Sequence, residues 1–409
     1  MFHSSKFQPR INPVYNNSPA GQIDRAQDLR ASITLNRVKV KELGNSDLVC
    51  WKKGIPTNTI TVRQLEYGEM DMWQQLANTT LVDTAIISDD YKVALSDISV
   101  YLTDDIDVFR GTLWYPGCRV STFALNIGSP DDLIERTFTL TNEDEIIFQN
   151  DNKYIVYLSY TAVGTSVSIT IGAGAYDTYT IPVDDPDASG TYFLRCYRYR
   201  ASDSTNVELD EGVDYTYDSA TYELAVATCV LGDVFTWVYT CGDYVSGEVP
   251  FTPNTGDLCA IKADECTIYL ETSTTVSKLQ SVSFDCNFDR LDIKEIGTTD
   301  VVAFGARDIV TTASLGQIVE SWTVDEVLRG VAGLSYGKLN VREYQDDMVL
   351  KIKVYTDNTK TTFKMGYRLN NLSPTSIDDG DTIDDYATRN TTLEGDYVLI
   401  TSSEVTLDA

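Results

Sequence analysis

Three acidic stretches are the first places where this chain offers chemistry. VDDPDASG brings together Asp184, Asp185 and Asp187, and LTDDIDV brings together Asp104, Asp105 and Asp107. SIDDGDTIDD adds Asp378, Asp379, Asp381, Asp384 and Asp385. Clustered carboxylates are calcium chemistry, because that ion takes about six to eight oxygen ligands. None of the three has EF-hand spacing with its closing Glu, and Asp and Gly favour turns for backbone reasons alone, so solvated turns are expected and no cofactor or metal is predicted. Nucleophilic catalysis has less to work with. The single His is His3, which removes Ser-His and Cys-His pairs. The eight cysteines, at 50, 118, 196, 229, 241, 259, 266 and 286, form no CxxC pair, so buried free thiols are expected rather than zinc. No phosphate-binding or dinucleotide glycine motif occurs. Acidic residues are so abundant that no particular pair is nominated for glycoside hydrolysis, and no enzyme is predicted.

The tyrosines Tyr154, Tyr157, Tyr160, Tyr197, Tyr199, Tyr215 and Tyr217 offer a binding platform, but cross-strand packing is the commoner use of Tyr in strands. The net charge of −29 repels nucleic acid and anionic lipid, and no Lys/Arg cluster is long enough to form a phosphate-binding stripe. No stretch approaches the ~18 apolar residues needed to span a bilayer, so no membrane partner is expected. The first residues, MFHSSKFQPRINPVYNNSPAGQ, lack the apolar core of a secretory signal and read as an extended arm over 1–24. Assembly in a cytoplasm is the expectation.

The elements that must position any site are strands. Thr, Val, Ile and Tyr recur in short runs broken by Gly, Asp and Asn, which makes the chain mainly β. One piece occurs twice: RVKVKELGNSDLV at 37–49 returns as RLDIKEIGTTDVV at 290–302. Each copy then carries one short helix. The first is predicted at 71–78, capped by Asp71 with Gln74 three residues on and ended by Asn78; the second lies at 323–330, with Thr323, Glu326 and Gly330 in those roles. Met72/Leu76 and Val324/Leu328 lie one turn apart, on the face that packs against a sheet. SDISVYL (96–102) matches LKIKVYT (350–356), Gly117 and Arg119 match Gly366 and Arg368, and Asp132, Ile134 and Glu135 match Asp381, Ile383 and Asp384. EIIFQN (145–150) and YVLITS (397–402) close the copies.

The organisation is therefore an arm (1–24), a first domain (25–150), an inserted all-β module (151–264) and a second domain (265–409). Within the module, the sequence from Leu209 to Thr240 reads as a meander. Two large copies suit pseudo-symmetry, in which three chains supply six equivalent places in a ring. Arg37, Glu42, Arg290 and Glu295, present in both copies, are candidates for the ring interface; solvated strand-end residues that never drifted are the alternative.

SVSFDCNFDRLDIKEIGTTDVV, with the capped helix and GYRLNNLSPTSIDDG after it, resembles the tail tube proteins of tailed phages. The duplication resembles the form found in T5-like phages. The resemblance implies two tandem β-sandwich or barrel domains, each with one short helix. It implies homotrimers forming pseudo-hexameric rings that stack into the tail tube of a virion. Tape measure protein fills that tube first, terminator and distal tail proteins cap its ends, and genomic DNA passes through without specific binding. An anionic lumen, which lets DNA slide, fits the charge. The loops holding Asn45, Asp47, Trp51, Asp300, Phe304 and Arg307 become candidates for ring stacking. A distal tail or baseplate hub protein of the same fold is the alternative, and a cell-surface β-domain adhesin a remote one.

Overall fold

The computed structural model describes the chain outside residues 1–6, 14–20, 24, 36, 42–47, 54–56, 69–83, 88–95, 104–108, 143–146, 150–153, 171–192, 201–204, 219–222, 227, 242–258, 272–273, 277, 289, 295–300, 307–308, 320–322, 330–343, 381–386 and 409. The protein is mainly β. Its first strands are β1 (Phe7–Pro13), β2 (Gly21–Gln22), β3 (Ala26–Thr34), β4 (Arg37–Lys41), β5 (Leu48–Lys53) and β6 (Thr57–Leu65). β7 (Thr84–Ile87), β8 (Ser96–Thr103), β9 (Phe109–Ile127), β10 (Glu135–Asn142) and β11 (Ile147–Gln149) follow. The module holds β12 (Tyr154–Thr161), β13 (Val167–Thr170), β14 (Phe193–Arg200), β15 (Thr205–Leu209), β16 (Tyr215–Asp218), β17 (Glu223–Val226) and β18 (Val234–Cys241). Next come β19 (Cys266–Leu270), β20 (Thr274–Thr275), β21 (Leu279–Asn287), β22 (Arg290–Lys294), β23 (Val301–Ala306) and β24 (Val310–Ile318). The chain ends with α1 (Thr323–Leu328), β25 (Met348–Tyr355), β26 (Phe363–Gly380), β27 (Thr388–Gly395), β28 (Tyr397–Thr401) and α2 (Glu404–Asp408).

Two compact units divide the chain: residues 1–23, 94–118 and 144–255 form one, and 24–93, 119–143 and 256–409 the other. The second unit contains an eight-stranded antiparallel sheet in the order β3-β6-β10-β9-β21-β24-β27-β26. Alternation builds it. TNTITVRQL in β6 and ERTFTLTN in β10 bury every second residue, turning Ile60, Val62, Phe138 and Leu140 inward and a row of threonines outward. The other sheet of this unit runs β20-β19-β25-β26-β28-β7, using the first half of β26. Phe138, Phe123, Phe284 and Tyr367 stack between the sheets with ring centroids 5.0, 5.6 and 5.5 Å apart in succession. Val324 and Leu328 of α1 are buried, as expected of the helix's apolar pair.

The eight strands are one four-stranded half used twice. Ala26 pairs with Gln64 and Leu279 with Gln317, and each pairing slips by one residue at the next step. Arg25 and Lys278, just ahead of β3 and β21, are both left-handed (φ 56° and 57°), and each carbonyl accepts from the side chain of the Gln two residues on, Gln27 or Gln280. The bulges in β9 and β26 also agree. Ser121 Oγ donates to Thr139 O, and Thr375 Oγ1 donates to Thr392 O.

In the first unit one sheet runs β2-β1-β8-β9-β11, the order in which β20-β19-β25-β26-β28 run in the other unit. Residues 7–13 and 21–22, expected within an extended arm, are therefore paired strands occupying the places of β19 and β20; the correction follows because β8, like β25, pairs on both sides. The register also corrects the alignment of the copies. Ser96 corresponds to Met348, two positions from the sequence match, because both strands slip at the same step. Glu135 corresponds to Thr388, and Thr112, not Gly117, corresponds to Gly366.

The module is a two-sheet sandwich, β12-β18-β14-β15 over β13-β17-β16. The expected meander is broken where β17 and β18 enter different sheets, so that Val226 and Phe235 meet in one core with Cys196, Leu209 and Tyr215. Asp233 anchors the connection: it takes two hydrogen bonds from Arg200 at 2.9 and 2.8 Å and one from Val230 N.

Candidate assembly interface

Among the described residues the eight-stranded sheet ends in two strands, β3 and the second half of β26, each paired on one side only. An unpaired edge presents a row of N–H and C=O groups and invites another chain. Ile33 and Leu35 are more than half exposed at the first edge. Arg30 lies there too, 2.6 Å from Asp28. The second edge carries Asp378 and Asp379, expected in a solvated turn but placed in a strand through pairing with Asn390 and Arg389. Asp379 accepts from Arg389 Nε at 2.5 Å, with the Arg389 side chain buried and the Asp379 side chain exposed.

The outward face of the sheet is rich in hydroxyls: Thr57, Thr59 and Thr61 in β6 face the same way as Thr137, Thr139 and Thr141 in β10. Its charges include pairs, Arg63 with Glu135 at 2.7 Å and Arg30 with Asp28. Hydrogen bonding to Glu135 holds the Arg63 guanidinium above its ordinary pKa. Alternation gives the outward positions of this face mainly to Thr, Ser and Asn.

The duplicated motif forms two hairpins, β4–β5 and β22–β23, with the same one-residue slip at Val40/Lys41 and Ile293/Lys294. Arg37 lies exposed at the base of the first hairpin opposite Lys53, and Arg290 pairs with Ala306 in the second. Trp51 is half exposed, with Lys39 Nζ 5.0 Å from its ring centre. Phe304 lies in β23 opposite Asp292. Glu42, Asn45, Asp47, Asp71, Gln74, Asn78, Glu295, Asp300, Arg307 and Gly330 lie outside the described residues, as do His3, Asp104, Asp105, Asp107, Asp184, Asp185, Asp187, Asp381, Asp384 and Asp385. Thr323 and Glu326 fall in α1.

No family model matches the chain, and no curated protein matches it. Among solved structures it is similar to the tube-terminating cap of the anti-feeding prophage, at 17% identity and a TM-score of 0.28, over 37% of this chain and 100% of that one. It is also similar to a chain of the anti-feeding prophage baseplate, at 11% identity and a TM-score of 0.26, over 35% of this chain and 91% of that one. Likeness at this level says nothing about role.

Sequence reading passed over one constellation. Glu66, Arg136 and Gln64 are buried together in the second unit. Arg136 Nε donates to Gln64 at 2.9 Å, and Nη1 lies 3.6 Å from Glu66. Glu66 also accepts from Tyr367 Oη and, at 2.7 Å, from the N–H of Gly68, whose φ of 75° suits glycine. Each of these side chains makes at least one polar contact within the group. The signal was present in sequence: Gln64 and Arg136 recur as Gln317 and Arg389 at the spacing of Arg37 and Arg290. The tyrosines pack. Tyr197 and Tyr215 are buried, and Tyr160 lies against the module core.

Proposed function

We propose that the chain is a structural subunit of a phage-tail-like tube and not an enzyme. One observation carries the reading: an eight-stranded sheet made of two equivalent halves, with an unpaired strand at each end among the described residues. Three copies joined end to end close such a sheet into a barrel with three-fold symmetry and six similar sectors. The outward hydroxyl face then lines the conduit, occupied first by a tape measure protein and later by DNA that slides without specific contacts. Stacked rings meet through the two hairpins, and terminator and distal tail proteins close the ends of a non-contractile (siphovirus-type) tail in the virion.

The experiment is native mass measurement together with negative-stain microscopy of the purified protein. Rings of three chains that stack into tubes are expected. Discrete rings that never stack would shift the reading to a distal tail or baseplate hub protein, and a monomer at every concentration would overturn it.

A further inference from the structure

The molecule contains its own template for the joint between chains. Where the two halves of the sheet meet, β9 lies against β21, with Leu125 opposite Phe284, Phe123 opposite Cys286 and Thr122 opposite Asn287. The free strand β3 is the counterpart of β21, fixed by the shared bulge and by the Gln64/Gln317 register. The free half of β26 is the counterpart of β9, fixed by the bulges at Ser121 and Thr375. Carrying the internal register across sets Ala31 opposite Asp379, Ser32 opposite Asp378, Ile33 opposite Ile377 and Arg30 opposite Gly380.

Resting on the ring reading above, the geometry points to a second copy of this chain bound in that register, through a joint more polar than the internal one. Ile33, exposed in the single chain, gains an apolar partner in Ile377. Asp379 stands where the internal joint has Leu125, already held by Arg389, and the residue facing it is Ala31 where the internal joint has Phe284. A small residue opposite a paired carboxylate leaves it room to stay solvated, so the charge is not stranded against a large apolar side chain. On the outward face Arg30 meets Gly380, whose lack of a side chain admits the long guanidinium, and lies diagonal to Asp378. Diagonal neighbours ~7–8 Å apart are within reach of long side chains. The edges are thus complementary in charge and in bulk.

The test is disulfide trapping in full-length protein whose exposed Cys50 and Cys259 are changed to Ser. Ile33→Cys with Ile377→Cys is expected to give a covalent closed trimer on oxidation, because directly opposed strand residues fall within disulfide reach. Ile33→Cys with Asp379→Cys, which requires a two-residue slip, is expected to give at least tenfold less. Unchanged melting under reducing conditions shows that both variants fold. As a second arm, Arg30→Glu is expected to weaken trimer formation at least tenfold while Arg30→Lys preserves it. Trimers that form but trap the slipped pair would overturn the register and leave the ring reading standing. A wild-type chain that stays monomeric would overturn both.

Discussion

Arg136 and Arg389 occupy the same position in the two halves of one sheet, and their surroundings have diverged. Arg136 is enclosed, with Gln64, Glu66 and the Tyr67 ring around it, and the adjoining strand position is apolar Leu125. Arg389 is also buried, but its partner is Asp379, an exposed carboxylate on an edge strand. The difference is one of location. The internal joint is completed when the chain folds, so it can bury apolar residues and have a buried polar network beside it. The outer joint must survive in water as a free edge, and an ion pair there discourages indiscriminate strand addition.

The largest expected effect comes from breaking the enclosed member. Arg136→Ala leaves Glu66 buried without its guanidinium, and removing one partner of a buried pair typically costs about 3–5 kcal/mol. Arg389→Ala leaves a partner that is already exposed to solvent, and screened pairs contribute about 0–1 kcal/mol. Denaturant unfolding of the two variants, measured under monomeric conditions, gives the comparison. Equal losses would mean that the two arginines do the same work, and that the difference in enclosure has no energetic meaning.

The sheets that contain β8 and β25 differ in the same sense. Lys351 and Lys353 in β25 stand where β8 has Ser99 and Tyr101. Both lysines are buried beneath α2, where Lys353 reaches Glu404 at 2.9 Å and Asp408 at 2.7 Å. Burial alone would raise the pKa of Asp408, but Lys353 and Lys351 outweigh it and hold the carboxyl below its ordinary range. Burial likewise opposes the charge on Lys353, and the two carboxylates overcome it, so this amine titrates above its ordinary range. The depressed acid contributes stability that is present above its unfolded pKa of about 3.9 and lost as pH falls through the folded value. The raised base contributes below about 10.4 and is lost as pH rises through its folded value. Protection of the α2 amides against exchange, taken relative to the intrinsic rate, is therefore expected to fall below about pH 4. Asp408→Asn is expected to flatten that acid dependence, at a cost near the ~1 kcal/mol ceiling of a screened pair. Persistence of the acid response in the variant would remove Asp408 as its source.

Much of this was legible in the sequence, and what was missed has a physical cause. α1 rests on local apolar spacing, whereas the runs holding Trp51 and Phe304, expected as loops, are strands β5 and β23 because they pair with the repeated motif. The start of the first copy is hidden because β1 is tied to the fold by pairing with β8, a contact about ninety positions away that leaves no local mark, and β2 follows by pairing with β1. Asp and Gly usually make a turn, and by that local signal SIDDG reads as one. It is strand because β27 supplies a partner on one side while the other side stays open, and an edge tolerates charged residues that a central strand would not. The network around Glu66 joins residues up to 301 positions apart, Glu66 and Tyr367, so only the spacing of Gln64/Gln317 and Arg136/Arg389 hinted at it.

The smallest expected effect tests whether the bulges are equivalent in energy as well as shape. Ser121 Oγ reaches Thr139 O at 3.1 Å within a half-buried part of the internal joint, while Thr375 Oγ1 reaches Thr392 O at 3.3 Å on the exposed edge. A protein hydrogen bond contributes about 0.5–1.5 kcal/mol net, and less where water can replace the lost partner. Ser121→Ala is thus expected near the top of that range, and Thr375→Val near or below the bottom, in the single chain. Ring formation should change the ranking, because a neighbouring strand laid against β26 shields Thr375 from water. The loss from Thr375→Val is then expected to approach that of Ser121→Ala in the assembled state, read as melting temperature against protein concentration. A gap between the two variants that stays fixed from dilute to assembled protein would show that β26 gains no neighbour on that side.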